Sequence, residues 1–210
     1  MARSLTLTRR EAKAVTRQRL LDAALAILDQ DGEAGLTTVA ITRRAGIAQS
    51  TFYVHFTDTS DLLHALVDDL AAERRRLTRD ARRTARGTND EDAKRDTYRV
   101  PLNYLVAHPR LTRLLLTRRG DSSPIGDWSR EIHRQSRAAL VEDLAAAGMS
   151  VDTPKQQRQV QMIADAIIGM TEAVAMGYIE GRYDNLDEMV DTLLLFSSGY
   201  MTLLDQPPLP

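Results

Sequence analysis

The sequence predicts an all-α protein of about nine helices: an N-terminal three-helix domain with a helix-turn-helix, then a larger helical domain. Three observations carry this. Apolar residues recur at three- and four-residue steps along most of the chain, and no alternating strand pattern occurs. The stretch from Leu36 to Phe56 reads as two short helices joined by a tight turn at Gly46. The first twenty residues hold Arg3, Arg9, Arg10, Lys13, Arg17 and Arg19 against Glu11 alone, the charge asymmetry of a phosphate-contacting arm.

Each element has a local cause. Leu20, Ala23, Ala24, Ile27 and Leu28 form one face of a first helix from Arg9 to Gln30, which Asp31-Gly32 ends. Thr37 or Thr38 caps a second helix, with Ala40, Ile41 and Ala45 on its inner side. After Gly46 a third helix is expected over Ala48 to Val54. A fourth runs from Asp58 to Thr84 on a stripe of Leu62, Leu63, Leu66, Val67 and Leu70. Gly87-Thr88-Asn89-Asp90 breaks the chain. Asp92 to Ala107 follows with Pro101 as an internal kink, then a short helix from His108-Pro109 to Arg118. Trp128, Ile132, Ala139, Leu140 and Leu144 mark a seventh helix ending at Gly148. Pro154 opens an eighth that Gly181 stops, and the last spans Leu186 to Leu204. The expected division is residues 1–57 and 58–210.

Composition narrows the function classes. With 43% hydrophobic and 27% charged residues, the 210-residue chain can build a core. Cysteine is absent, so neither a disulfide framework nor a thiolate metal site is available. No signal-peptide pattern and no uninterrupted membrane-length apolar run is read, so a cytoplasmic location is expected. The net charge of −1 conceals the basic N-terminus. Catalysis finds no support: there is no glycine-rich phosphate loop, and the four histidines, His55, His64, His108 and His133, are dispersed. No cofactor and no metal is expected.

The helix-turn-helix offers the residues for reading DNA. Gln49 and Ser50, at the start of the third helix, are placed to face a groove floor, and Val54 to touch a thymine methyl. Thr38 is a phosphate candidate through its hydroxyl and amide, and Arg43 and Arg44 lie near the same surface. Thr51 is placed with the reading set, although its position beside Phe52 also suits a structural role. Phe52 and Phe56 are expected to close the small core.

These residues resemble the TetR family of bacterial transcriptional regulators. Leu20-Leu21-Asp22-Ala23-Ala24, Leu36-Thr37-Thr38-Val39, Arg44-Ala45-Gly46-Ile47 and Ser50-Thr51-Phe52-Tyr53-Val54-His55-Phe56 carry the likeness. It implies a homodimer with a DNA-binding N-terminal domain and an effector-binding helical C-terminal domain. It also implies that Tyr53 and His55 meet phosphate. Two positions depart from the pattern: Ala48 stands where serine is common, and Thr59 or its neighbour where lysine is common. A narrower likeness rests on Gly46-Ile47-Ala48, Phe52 to Asp58, His108-Pro109-Arg110, Arg113-Leu114-Leu115-Leu116, Arg118 and Ser122-Ser123. It resembles the subgroup that represses unsaturated fatty-acid synthesis, which implies a long-chain acyl-CoA as effector.

The C-terminal half supplies a dimer face and a pocket. Ala166, Gly169, Ala173 and Gly177 form a small-residue stripe on the eighth helix, and the last helix offers Leu193, Ser197 and Tyr200. Two such helices per subunit would make a four-helix interface; the alternative is burial within one subunit. Pocket candidates are Tyr98, Leu102, Leu105, Leu115 and Trp128, and further on Ile132, Met162, Asp165, Met170 and Glu172. An ordinary core would use the same apolar residues, whereas Asp165 and Glu172 need partners if buried. The run Arg74, Arg75, Arg76, Arg79, Arg82, Arg83 and Arg86 reads as a salt-bridged helix end or as an anion site at the pocket mouth. The expected protein is a ligand-responsive repressor binding a palindromic operator. The alternative is a helical protein that binds a small molecule or partner without DNA.

Overall fold

A computed structural model describes residues 8–204, with side chains through Ser198. Among the described residues there are nine α-helices and no strand: α1 Arg9–Asp31, α2 Thr38–Ala45, α3 Gln49–Phe52, α4 Thr59–Ala85, α5 Glu91–Ala107, α6 Pro109–Arg118, α7 Pro124–Ala146, α8 Pro154–Ile179 and α9 Leu186–Leu204. A single 3-10 turn, Glu33–Gly35, follows α1.

The helix starts follow their capping chemistry. Thr8 and Glu11 form a reciprocal capping box on α1, and Thr153 and Gln156 repeat it on α8. Thr37 rather than Thr38 caps α2, accepting from the Ala40 amide at 3.1 Å. Asp58 accepts from the Asp61 amide at 2.8 Å, and Asp61 in turn accepts from Thr57 at 2.8 Å. Proline occupies the first turn of α6, α7 and α8, where a missing N–H costs nothing.

Two compact units result, residues 1–69 and 70–210. The first extends past the expected limit at residue 57 because Leu62, Leu63 and Leu66, on the first turns of α4, are buried. In this unit Leu20, Leu21 and Leu28 of α1, Ile41 of α2 and Phe52 of α3 are almost wholly buried. Gly46 turns the chain between α2 and α3 at φ 63°, a left-handed conformation that side chains with a Cβ seldom adopt.

The second unit packs α5 against α8 and α9, α7 against α8, and α6 against α7. One of its cores joins Tyr98, Leu102 and Leu105 of α5 to Ala175 of α8 and Met189, Val190 and Leu193 of α9. By length and hydropathy α8 passes the test for a membrane span, which qualifies the expectation from sequence. Its Val160, Ile163, Ala164, Thr171 and Ala175 are instead buried in this unit, as in a core helix of a folded domain.

Candidate nucleic-acid interface and ligand pocket

Helix α3 is short. It was expected to span Ala48 to Val54, but Ala48 supplies no side-chain cap and the helix begins at Gln49. Beyond Phe52 the chain continues as a hydrogen-bonded turn, with the amides of His55 and Phe56 donating to the Phe52 carbonyl at 2.9 and 3.0 Å. Phe52 and Phe56 point inward with ring centroids 5.8 Å apart. Anchored by that pair, Gln49, Ser50, Tyr53 and Val54 are exposed. Arg43, Arg44 and Val39 of α2 are exposed too. Val39 was not singled out from sequence, where its only mark was a place in a family motif.

The basic residues of α1 divide between internal and outward roles. Arg19 donates to the Ala45 carbonyl at 2.6 Å, closing the end of α2. Arg17 pairs with Asp69 at 2.8 Å and lies over the Phe56 ring at 5.6 Å. Arg9, Arg10 and Lys13 stay exposed. Arg3 lies outside the described residues. Burial, with Lys13 and Arg17 nearby, lowers the His55 imidazole from its ordinary value. That shift favours the neutral imidazole, which can still donate a hydrogen bond. Arg44 reaches Gln30 at 2.8 Å, Thr38 is half-buried, and so is Thr51 beside Phe52.

In the second unit a cavity of about 60 Å³ lies among α4, α5, α7 and α8. Its polar side is Arg74, Arg75, Thr78 and Arg82 of α4; apolar wall is supplied by Pro101, Leu105, Ile167 and Ile168. Glu172 of α8 completes the lining. Both terminal nitrogens of Arg119 donate to its two oxygens at 2.8 Å, and His133 Nδ1 stands 3.8 Å away, an ion-pair distance. Burial works to raise the Glu172 carboxyl, but His133 and the Arg119 clamp outweigh it and hold its pKa at about 2. Arg82 donates to Asp143 at 3.1 Å, and Arg79 to Glu142 at 2.8 Å.

Residues 20–66 match the family model described as bacterial regulatory proteins, tetR family. That stretch, from α1 into α4, is thus similar to the N-terminal domain of the tetR family. Solved TetR-family structures share the fold across both units. A transcriptional regulator of the family from Syntrophomonas wolfei is similar at TM-score 0.68 and 18% identity, over 87% of this chain and 93% of that one. A TetR-like regulator from Rhodococcus sp. RHA1 gives 0.64 and 21%, over 96% and 100%. The fatty acid degradation regulator FadR from Bacillus halodurans gives 0.67 and 17%, over 86% and 93%.

Within this TetR-family fold the expected pocket residues separate. Tyr98, Leu105 and Glu172 line the cavity. Leu102 and Met170 belong to the adjoining core, and Ile132 is buried outside the lining. Leu115 and Trp128 are half-buried away from it. Asp165 pairs with Arg137 at 3.3 Å instead of lining the cavity. Met162 is a correction: it is 64% exposed, on the outer face of α8.

The dimer candidates separate in the same way. Ala166, Gly169 and Ala173 are exposed along one face of α8. Gly177 is buried, and Tyr183 and Arg182 of the same subunit occupy the space beside it. Leu193 is also a correction, 1% exposed within the subunit core. Ser197 is half-buried and donates to the Leu194 carbonyl at 2.9 Å, and the Tyr200 side chain lies outside the described residues. Among the described side chains of α9, Leu195 and Phe196 are large apolar residues left exposed, at 73% and 63%.

Of the arginine run, Arg79 and Arg82 are engaged by carboxylates, as a salt-bridged helix requires. The cavity residues that sequence reasoning missed are spread over four helices, among them Thr78 of α4, Pro101 of α5, Ser136 of α7, and Ile167 and Ile168 of α8. For α4 the run of arginines was the signal, but helical spacing alone does not say which of them turn inward.

Proposed function

We propose that this protein is a TetR-type regulator, a homodimeric, ligand-responsive repressor that reads a palindromic operator through α3. The observation carrying this is the exposed row Gln49, Ser50, Tyr53 and Val54, seated on the buried Phe52 and flanked by basic α1. Gln49 has the donor–acceptor pair that matches adenine, and Val54 suits a thymine methyl. Tyr53, Thr38, Thr51, Arg44 and neutral His55 hold the flanking backbone through hydrogen bonds. One such head covers a half-site, so two related by a two-fold axis read a palindrome.

The same helix that contributes Leu62 and Leu66 to the first unit contributes Arg74 to Arg82 to the cavity. A ligand that favours one arrangement of α4 over another changes operator affinity by its differential affinity for the two. The cavity's size favours a compact effector over the long-chain acyl-CoA that the narrower resemblance implies.

Fluorescence anisotropy on DNA from upstream of the protein's own gene tests the reading. Binding is expected to be sequence-specific and to weaken steeply with salt. Gln49→Ala is expected to cost about 1–3 kcal/mol on the specific site and to relax specificity at one base pair. Tyr53→Phe is expected to weaken binding on all sequences alike. Intact ligand binding with no specific DNA binding would instead favour the DNA-independent module.

Dimerisation has its own support. Ala166, Gly169 and Ala173 let a second helix approach closely, and Leu195 and Phe196 lie exposed on α9. Phe196→Glu and Gly169→Arg are each expected to shift the protein to monomer in sedimentation velocity and to abolish cooperative operator binding. Dimers that persist in both variants would place the interface elsewhere.

A further inference from the structure

The polar side of the cavity is unevenly matched. Arg82 has Asp143 and Glu172 has the two-point clamp of Arg119. Arg75 carries further interactions of its own. Arg74 is different: its Nη2 donates at 3.0 Å to Ser136 Oγ, a neutral hydroxyl. Burial lowers this guanidinium from its ordinary value, and Glu172 acts in the opposite sense. Arg74 and Arg119 thus draw on one carboxylate, which leaves positive charge in excess beside the cavity. One turn further along α4, Thr78 is 6% exposed and its hydroxyl has no hydrogen-bond partner among the described residues. A buried hydroxyl left in this condition costs free energy that a ligand acceptor would recover.

The opposite wall is apolar, formed by Pro101 and Leu105 of α5 with Ile167 and Ile168 of α8. A surplus guanidinium and a free hydroxyl on one side, with aliphatic wall on the other, fit an amphipathic monoanion. We propose that the cavity binds a small organic carboxylate, its carboxylate held by Arg74 and Thr78 and its compact apolar body packed on Leu105, Ile167 and Ile168. This rests on reading the cavity as the effector site. A cation is disfavoured because the lining carboxylate is already held at both oxygens. A phosphate ester would bring a second negative charge and a larger polar surface than this corner can match.

The experiment titrates the full-length protein with acetate, isobutyrate, benzoate and phenylacetate, each against its primary amide. Thermal shift and calorimetry give the affinities, and anisotropy on the operator is recorded separately. At least one acid is expected to bind roughly tenfold or more tightly than its amide, the discrimination of a charge-assisted hydrogen bond. Arg74→Gln is expected to erase that preference, and Thr78→Val, which keeps the side-chain shape, to reduce affinity for the acid while the amide is little changed. Amides that match their acids throughout would overturn the proposal, as would acid binding indifferent to both variants. Acid binding that follows Arg74 and Thr78 in a protein without specific DNA binding would uphold the carboxylate site while removing the repressor reading.

Discussion

Phe52→Ala is expected to unfold the N-terminal unit. Phe52 is fully buried, with Phe56 at 5.8 Å and Tyr53 edge-on at 5.4 Å. Truncating a buried phenylalanine costs about 3–5 kcal/mol through lost transfer energy and the cavity left behind. A unit of fewer than seventy residues has little more than that to lose. Hydrogen exchange should therefore show α1 to α3 losing protection while α5, α8 and α9 keep theirs, with operator binding abolished. Val54→Ala is the control: Val54 is 63% exposed, and its truncation should leave stability within about 0.5 kcal/mol. Full protection of α1 to α3 in the Phe52 variant would mean that the core of this unit lies elsewhere.

The second large effect is expected at Glu172. Replacing it with leucine leaves Arg119 without its clamp and removes a carboxylate that acts on Arg74. Breaking a fully buried pair from one side costs about 3–5 kcal/mol, and this part-buried pair should lose somewhat less. Combining Glu172→Leu with Arg119→Met should recover part of the loss, because both charges of the clamp are then gone. The pH dependence has a definite sign. The folded carboxyl titrates at about 2, against an ordinary value of 4.5. Its stabilisation is therefore complete above 4.5 and lost as pH falls towards 2. The linkage amounts to about 3 kcal/mol at most. Chemical denaturation between pH 5 and pH 2 should give a steeper loss for the wild type than for Glu172→Gln. Identical slopes would mean that the clamp does not hold the carboxyl down.

Helix positions were legible wherever a local signal marked an end. Pro154, Leu186 and the threonine caps place α8, α9 and α2 within a residue or so of their observed bounds. α3 was drawn too long because periodicity continues through Val54, whereas the backbone tightens into a turn after Phe52. The exposure of Gln49, Ser50, Tyr53 and Val54 was legible for the same local reason, since Phe52 and Phe56 fix which side is inward.

The pocket was less legible. Periodicity assigns a residue to a helix face but does not say which neighbour that face meets. Met162 and Leu193 show the consequence in opposite directions. Met162, an apolar residue on an apolar helix, faces outward, and Leu193, taken for interface, is core. Arg119 and Glu172 are 53 positions apart, a separation across which no spacing rule operates. The α4 arginines were visible as a run, but their division into ion-paired Arg79 and Arg82 and inward Arg74 depends on where α7 places Ser136, Glu142 and Asp143.

The seating of the reading row on Phe52 bears on how such a protein changes over generations. Gln49, Ser50 and Val54 project from the surface, so exchanging them leaves the core beneath almost untouched. On the proposed reading, mutational drift at these positions is filtered by operator sequence and hardly at all by folding. After gene duplication, a copy can therefore acquire a new set of target promoters through one or two substitutions, with no compensating change elsewhere in the chain.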